Sequence, residues 1–405
     1  MLTKRQTFIY MKTIALGAVI FCGLLATDNF ATAQTWTPTI APSNYWTSVV
    51  SSADGSTLAA LAYMVCYTST NSGTTWASNS VPAANNNSIL AASADGLRLA
   101  SATSNSGEID VSTNGGLTWK KSTNYVEAAW QSIVSSADGK TLVATEGGPV
   151  VYASTNYGVN WYRLVGLPNP GSDPQLAALS ADGSCLLVQV PGTVYTTTNF
   201  AKSWSTNVIS AAFKSIAASA DARKLVGAPY GGNIYTSTNF GAAWIQQTNS
   251  PSLLWWSCAS SADGTRLAAV SGTAGGAGVI YTSADSGLTW VSNKVPSQQW
   301  IKIICSADGN KAVAIVNGND PVAAGGIWIS QTAPSPQLNL SSSNGNLNLS
   351  WLVPSANFLL QQSSALGAGN WTTLTNPPAL NLSNLQDQLT LMPTNSSAFF
   401  RLTTP

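Results

Sequence analysis

The chain has 405 residues, of which 44% are hydrophobic and only 8% are charged, and its formal net charge at pH 7 is +1. This near-neutral balance provides no basic surface for nucleic acid. The sequence contains no His, the commonest general base and metal-ligating side chain, and no Cys-x-x-Cys pair of the kind that binds zinc. We therefore expect neither a bound metal ion nor a cofactor.

Residues 1–33 have the pattern of a secretory signal peptide. A basic start, an apolar run and a small-residue cleavage site follow one another: Lys4, Arg5 and Lys12; residues 14–26; and Ala31-Thr32-Ala33. The apolar run is too short to span a bilayer, and no later stretch approaches the roughly 18 apolar residues that a span requires. We expect an exported, monomeric bacterial protein in the periplasm or outside the cell, without a membrane span.

Two turn signals recur about every 40 residues through residues 34–332. The first is a turn aspartate, spaced 39 to 45 residues from the next: Asp54, Asp95, Asp138, Asp182, Asp221, Asp263 and Asp308. The second has the form Ser/Thr-x-Asn/Asp-x-Gly-x-x-Trp and ends at Trp76, Trp119, Trp161, Trp204, Trp244 and Trp290. In its fourth copy, Ala201 replaces the Gly. A repeat of this length with four short strands is typical of a β-propeller blade.

The seventh repeat has no closing tryptophan, because the chain continues from Trp328 into Pro334 and Pro336. Trp36 lies 40 residues before Trp76, one repeat length away, so the N-terminus can supply the missing outer strand. Closing the ring in this way removes two exposed sheet edges. The sequence predicts an all-β, seven-bladed β-propeller that is closed by an N-terminal strand.

The second turn resembles the Asp box, or BNR repeat, and the resemblance covers about three quarters of the chain. Its Asx residues are Asn71, Asn114, Asn156, Asn199, Asn239 and Asp285. Asp boxes occur in sialidases, in some xyloglucan-cleaving enzymes, in sortilin-type receptors and in the photosystem II assembly-factor family. The resemblance implies that the boxes and the turn aspartates lie on one face of the propeller and are structural, with Asx bonding the turn and Gly taking the positive φ.

The resemblance to sialidases also implies a clamp of three arginines for the substrate carboxylate, which the sequence does not supply. Arg98, Arg223 and Arg266 lie close to turn aspartates and so on the box face, which leaves Arg163 alone on the opposite face. Lysine is a poor substitute in bidentate carboxylate recognition. The arginine-rich patch expected of the assembly-factor family is missing too.

A carboxylate-based glycoside hydrolase remains open through Glu108, Asp110 and Glu146, which fall in the connections opposite the boxes. The first two lie two residues apart and therefore on one side of a strand. Isolated, solvated surface charges are the alternative interpretation of these three residues.

Aromatic residues recur eight positions before the turn aspartate: Trp46, Trp130, Phe213, Trp255 and Trp300. They begin the innermost strands, and two interpretations remain open. They pack between blades, or they form a stacking platform for sugar rings or peptide side chains at the channel mouth, together with the neighbouring Tyr45, Tyr63, Tyr230 and Trp256. Arg163 is a further candidate ligand contact.

Residues 333–337 are a Pro-containing linker, and residues 338–405 show alternating strand patterns that end in Phe399-Phe400-Arg401-Leu402. This module resembles the small C-terminal β-sandwich of many secreted bacterial proteins, which implies surface attachment or sorting; a cap beside the propeller is the alternative. Cys258 and Cys305 lie on the first strands of neighbouring blades, where separate thiols are favoured over a disulfide.

The sequence thus favours a secreted binding or scaffolding propeller. Its expected partner is an extracellular polysaccharide or protein, held on the face opposite the boxes. The alternative is a sialidase-like or other glycoside hydrolase that uses the carboxylates of that face.

Overall fold

The computed structural model describes the chain in a series of ranges, and within them every regular element is a β-strand. The ranges are 9–14, 17–21, 33–82, 84–85, 88–104, 107–123, 128–147, 150–167, 176–209, 211–272, 278–317, 326–332, 336–343, 345–364, 370–392 and 398–405, with backbone alone for the first two. The predicted all-β class is confirmed. Within these ranges no helix is long and apolar enough to cross a bilayer.

Seven four-stranded antiparallel sheets follow one another along the repeats. Sheet 1 contains β4 Trp46–Ser51, β5 Leu58–Ala62, β6 Val65–Ser69 and β7 Ala77–Ser80. Sheet 2 contains β8 Ser88–Ala92, β9 Leu99–Thr103, β10 Ile109–Ser112 and β11 Lys120–Lys121. Sheet 3 contains β12 Trp130–Ser135, β13 Leu142–Glu146, β14 Val151–Ser154 and β15 Tyr162–Arg163. Sheet 4 contains β16 Leu176–Leu179, β17 Leu186–Val190, β18 Thr193–Thr197 and β19 Ser205–Val208. Sheet 5 contains β20 Phe213–Ala218, β21 Leu225–Pro229, β22 Tyr235–Ser237 and β23 Ile245–Gln246. Sheet 6 contains β24 Trp255–Ser260, β25 Leu267–Ser271, β26 Ile280–Ser283 and β27 Val291–Ser292.

Sheet 7 takes its fourth strand from the other end of the repeats. Its strands are β28 Trp300–Cys305, β29 Lys311–Val316, β30 Ile327–Gln331 and β3 Trp36–Pro38. Trp36 pairs with Ser330, and Pro38 pairs with Trp328. The N-terminal segment thus supplies the outer strand of sheet 7, as the sequence separation of Trp36 and Trp76 predicts. β3 is the outermost strand of the sheet and pairs on one side only. Proline has no N–H to donate, and at Pro38 this removes no hydrogen bond to a further strand.

The first strands of the seven sheets contact one another in cyclic order, and the first strand of sheet 7 contacts that of sheet 1. At the end of each first strand, the residue before the turn aspartate is alanine. Each of these alanines donates its N–H to the carbonyl oxygen of the next at 2.7 to 2.8 Å, in the order Ala53, Ala94, Ala137, Ala181, Ala220, Ala262, Ala307 and back to Ala53. We call this closed circle the alanine ring. The arrangement is a β-propeller with the ring at one end of its central channel.

The turn aspartates hold the ring in place through local hydrogen bonds. In sheet 3, Ser136 Oγ donates to Asp138 Oδ1 at 2.6 Å, and the same oxygen accepts the Lys140 N–H at 2.9 Å. Gly139 follows with a φ of +71°, and a Cβ there would lie 2.7 Å from Cδ of Arg98 in the preceding sheet. Glycine is therefore required on both conformational and steric grounds.

Sheet 5 departs from this rule, because Ala222 occupies the glycine position with a φ of +57°. Ala201, in the fourth tryptophan-ending turn, has a φ of +64° where other copies have glycine. A left-handed conformation costs a residue with a Cβ about 1–2 kcal/mol, part of which is offset because alanine restricts the unfolded chain.

We predict that Ala222→Gly and Ala201→Gly each raise the free energy of unfolding by about 0.5–1 kcal/mol. Denaturant titration followed by tryptophan fluorescence measures this. The matched reverse change, Gly139→Ala, should destabilise the protein by more than 1 kcal/mol, roughly, since strain and the Arg98 contact combine. A loss of stability in both Ala→Gly variants would contradict the strain argument.

The C-terminal module has two sheets that share one apolar core. The first contains β31 Asn339–Ser343, β32 Asn346–Leu352, β36 Gln386–Leu391 and β35 Ala379–Asn381; the second contains β2 Gly17–Phe21, β1 Ile9–Ile14, β37 Phe399–Thr403, β33 Leu359–Ser363 and β34 Thr372–Thr373. Leu349, Trp351 and Phe400 are buried in the core. Strands β1 and β2 lie in the segment predicted to be a signal peptide, so cleavage after residue 33 would leave β37 as an outer strand; that cleavage remains a prediction.

This module covers the alanine ring. Leu385 packs against the alanines of the ring, and Val353 packs beside it against Ala53 and Ala307. The Ser355 N–H and Oγ both donate to Asp308 Oδ2, at 2.8 and 2.9 Å. The central channel is therefore closed at this end, and the predicted linker residues 333–335 lie outside the described ranges.

Asp387 of β36 faces the same junction. Burial raises the pKa of its carboxyl; a hydrogen bond from Trp351 lowers it, and the negative charge of Asp54 raises it further, with a net rise. The unfolded chain releases this proton near the ordinary value of 3.8, whereas the folded protein holds it to higher pH. Stability is therefore lost as the pH rises above that value.

We predict that Asp387→Asn raises the Tm at pH 7, because the amide keeps an acceptor for Trp351 and carries no charge. Below about pH 3, roughly one pH unit under the ordinary pKa of 3.8, the two proteins should have the same Tm, since Asp387 is then mostly protonated in both states. Thermal unfolding followed by circular dichroism at the two pH values measures the difference. An equal gain at both pH values would refute the electrostatic explanation.

Candidate ligand-binding site

A cavity of about 750 Å³ opens at the end of the channel opposite the alanine ring. Its described lining comes from the beginnings of first strands and from nearby connections: Tyr45, Trp46, Thr47, Ser88, Ile89, Ser104, Trp130, Gln131, Trp256, Ile301 and Asn317. We call this end the upper face. The volume lies in the range typical of small-molecule and peptide pockets.

A β-bulge at the start of the first strand explains which side chains reach this cavity. In sheets 1, 3, 5, 6 and 7 the pairing register skips one residue directly after the aromatic position. The skipped residues are Thr47, Gln131, Lys214, Trp256 and Ile301. An unpaired bulge residue is turned out of the ladder. Four of these five line the cavity, and their chemistry differs from sheet to sheet.

The aromatic residues before the bulges are buried, with at most 2% exposure: Trp46, Trp130, Phe213, Trp255 and Trp300. Each packs against an aromatic residue of the third strand, with ring centroids 5.1 to 6.0 Å apart: Tyr67, Tyr152, Tyr235, Tyr281 and Trp328. A covered ring face cannot stack on a ligand. The stacking-platform interpretation is therefore wrong for these five side chains, and packing within the propeller is their role.

Two of the buried tryptophans also join neighbouring sheets. Trp130 Nε1 donates to the Gly107 carbonyl of sheet 2 at 2.8 Å, and Trp255 Nε1 donates to the Gly232 carbonyl of sheet 5 at 3.0 Å. These bonds satisfy the indole N–H groups, which burial would otherwise leave without a partner.

Accessible aromatic side chains remain at the edge of the cavity. Tyr230 and Tyr45 are more than half exposed. Tyr230 meets Trp256 edge to face, with centroids 5.9 Å apart, and Trp256 Nε1 donates to the Gly272 carbonyl at 2.8 Å. Lys214 Nζ lies 5.3 Å from the Trp256 ring centroid. We call Tyr45, Tyr230 and Trp256 the aromatic rim; the sequence named all three as members of the possible stacking platform.

The predicted carboxylates do not line the cavity. Asp110 is 1% exposed within β10, and Glu108, just before that strand, forms a salt bridge with Lys121. Glu146 ends β13 and pairs with Trp130. The structure therefore does not bring Glu108 and Asp110 together at the cavity: Asp110 is buried, and Glu108 is paired with Lys121.

Arg163 also lies away from the cavity lining. It belongs to β15, the outermost strand of sheet 3, where it pairs with Tyr152. Burial and the negative charge of Glu146 raise the pKa of Tyr152, and the positive charge of Arg163 opposes them. Arg163 and Glu146 thus share one local environment in sheet 3, separate from the aromatic rim.

The Asx residues of the tryptophan-ending turns have structural partners. Asn71 Oδ1 accepts the Thr75 N–H at 2.8 Å and the Ser69 hydroxyl at 3.0 Å. The Oδ1 atoms of the other copies accept the N–H four residues further on at 2.9 to 3.0 Å: Asn114, Asn156, Asn199, Asn239 and Asp285. Burial opposes ionisation of Asp285, but hydrogen bonds from Thr289 outweigh it and lower its pKa.

The four cysteines of the described structure form no disulfide. All four are free thiols: Cys66, Cys185, Cys258 and Cys305. Burial raises the pKa of Cys258 to about 11 and that of Cys305 to about 12, so both are protonated at neutral pH. Among the described residues, no group of three or more His, Cys, Asp or Glu is arranged to hold a metal ion.

Comparison with known proteins defines the fold class and no more. No family model and no curated protein matches the chain. Among solved structures, YCF48 from Cyanidioschyzon merolae has a TM-score of 0.56 at 14% identity, covering 74% of this chain and 98% of its own. YCF48 bound to D1 peptide gives 0.55 at 15% identity, covering 75% and 98%. The GH74 xyloglucanase from Xanthomonas campestris gives 0.53 at 13% identity, covering 79% and 59%. These similarities support a β-propeller.

The adjacent residues Trp255 and Trp256 test the division between packing and accessible positions. We predict that Trp255→Ala lowers the free energy of unfolding by about 3–5 kcal/mol, because it empties a fully buried site. Trp256→Ala should cost about 1 kcal/mol or less, because its ring is partly solvated. Denaturant titration of the two variants measures both values; equal losses would contradict the bulge geometry.

Proposed function

We propose that the chain is an exported, monomeric, seven-bladed β-propeller of the Asp-box type that binds an extracellular protein or polysaccharide at its upper face. Seven sheets in cyclic order, the closed alanine ring and the pairing of β3 with β30 support the blade count. The signal-like N-terminus supports export. In this proposal the C-terminal module is a small β-sandwich that caps the propeller. Attachment of the protein to a surface is the second role that we propose for it.

The observation that carries the binding function is the composition of the upper cavity. Its described lining offers indole and phenol rings, hydroxyls and amides, and it contains no carboxylate. Aromatic surface with a few amide groups suits sugar rings and peptide side chains equally. Of the structural neighbours, one is bound to a peptide and another is a xyloglucanase, so both partner classes have precedent on this fold.

Glycoside hydrolysis is the alternative. It requires two carboxyl groups on opposite sides of the scissile bond. Glu108 and Glu146 lie outside the cavity lining, and Asp110 is buried. Retention of a ligand without turnover is therefore the expected behaviour.

Arrays of bacterial and plant polysaccharides and of peptides, probed with the purified protein, test the proposal. We predict that Trp256→Ala weakens the best interaction by about tenfold or more, as expected for a central aromatic contact. Tyr162→Ala is the matched control, because Tyr162 is an exposed aromatic residue on the outer strand β15. It should bind normally.

Turnover decides between binding and hydrolysis. Cleavage of an array ligand that is abolished in Glu108→Gln or Asp110→Asn would overturn the binding function. Ligand binding that Trp256→Ala leaves intact would place the site elsewhere on the molecule.

A further inference from the structure

The shape of the upper cavity limits which part of a chain molecule can enter it. Its described lining comes from sheets 6, 7, 1, 2 and 3, which follow one another around the axis, so Trp256 and Gln131 lie on opposite sides of the channel. At the other end the channel is closed, because Leu385 packs against the ring alanines. A linear chain therefore cannot pass through, and a segment that enters must end in the cavity or turn back.

The described residues that line this cavity are all uncharged. Its polar groups are the hydroxyls of Thr47 and of two serines, and the side-chain amides of Gln131 and Asn317. Gln131 is exposed, whereas Asn317 is oriented by a hydrogen bond that its Nδ2 donates to Gln299 Oε1 at 2.9 Å. Hydroxyls and amides both donate and accept hydrogen bonds, so this lining suits a neutral ligand that carries hydroxyl groups.

An uncharged lining distinguishes between the ends of the two partner classes. The end of a protein chain carries an α-ammonium or an α-carboxylate, and removing such a charge from water without an opposite charge is costly. The non-reducing end of a glycan carries hydroxyls alone. Its polar edge can bond to amides while its apolar ring face packs on an aromatic side chain. The cavity therefore fits the end of a glycan better than the end of a protein.

A strained tyrosine extends the aromatic rim over sheet 1. Tyr63 lies in the two-residue turn between β5 and β6, with a φ of +55° and 55% exposure. Trp46 pairs with Ala62, so Tyr45 and Tyr63 are neighbours at the upper ends of paired strands. The equivalent turn of sheet 4 has its positive φ at Gly192. A tyrosine in this conformation is costly, and strained residues of this kind are concentrated at ligand-binding sites.

We propose that the upper cavity binds the uncharged non-reducing end of a glycan, and that the sugar rings next to it stack on Tyr45 and Tyr63. Trp256 stacks on the terminal sugar, and Gln131 bonds its hydroxyls from the opposite side. This assignment rests on the upper-face binding function proposed above. It specifies the partner as the end of a polysaccharide or of a branch, in place of an internal segment or a protein.

Calorimetric titration of the purified protein with cellohexaose, mannohexaose and galactohexaose tests the assignment. Each hexaose is compared with a form in which the primary alcohol of the non-reducing sugar is oxidised to a carboxylate. At least one neutral hexaose should bind, and its oxidised form should bind about tenfold or more weakly, since the new charge would be unpaired. The matched control is the same hexaose oxidised at the reducing end, which should keep its affinity.

Two substitutions test the named contacts with the hexaose that binds best. Gln131→Leu should weaken binding about fivefold, as expected for one hydrogen bond between neutral groups. Tyr63→Gly should weaken it about fivefold without lowering the Tm, because glycine adopts the left-handed conformation freely. Tyr157→Gly is the matched control: Tyr157 has a φ of +64° but lies on the box face, so the affinity should not change.

Equal affinity for the two oxidised forms, or loss of binding only on oxidation of the reducing end, would overturn recognition of the non-reducing end. The upper-face function would then still stand if Trp256→Ala weakened binding. Binding of array peptides through Trp256, with no hexaose bound, would identify a protein partner and overturn the glycan assignment alone. Binding of any ligand that Trp256→Ala leaves intact would refute both this assignment and the proposed function.

Discussion

The closed circle of backbone hydrogen bonds at the alanine ring is the interaction on which the remaining structure depends. Each bond joins equivalent atoms of neighbouring sheets, so one geometry satisfies all seven positions. It fixes where every first strand ends and therefore the level of every residue along the channel. The ring also explains why the position before each turn aspartate is alanine: the side chains converge at the axis, where Leu385 already packs. Larger side chains would crowd one another at this point.

The bulges at the opposite end of the same strands separate the side chains that pack in the interior from those that face the cavity. The residue before each bulge enters the interior and pairs with a third-strand aromatic ring, as Trp255 does with Tyr281. The bulge residue itself leaves the ladder, and four of the five bulge residues reach the cavity, as Trp256 does. Packing positions therefore repeat from sheet to sheet, while the bulge residues are free to differ. A rigid scaffold thus presents a variable set of side chains at one opening.

The sequence predicted the parts of the fold that depend on local turn chemistry. The spacing of the turn aspartates placed the strands, and Trp36 identified the strand that completes sheet 7. The site was predicted less well, because a bulge depends on pairing with the second strand and leaves no local pattern. Adjacent Trp255 and Trp256 carried a usable signal, since neighbouring strand residues face opposite ways. The contact of Leu385 with the ring joins distant parts of the chain, so no local pattern indicated it.

The sense of the alanine ring has an electrostatic consequence for the end of the channel. Every N–H of the circle points toward the next sheet in the same rotational direction, so the peptide dipoles follow one another around the axis and their in-plane components cancel. Such a circle resembles neither end of a helix, where aligned dipoles attract ions of one sign. The ring peptides themselves therefore contribute no net in-plane dipole that would attract an ion of one sign to the axis. The apolar side chain of Leu385 packs against the ring alanines and closes this end of the channel without needing a hydrogen-bond partner.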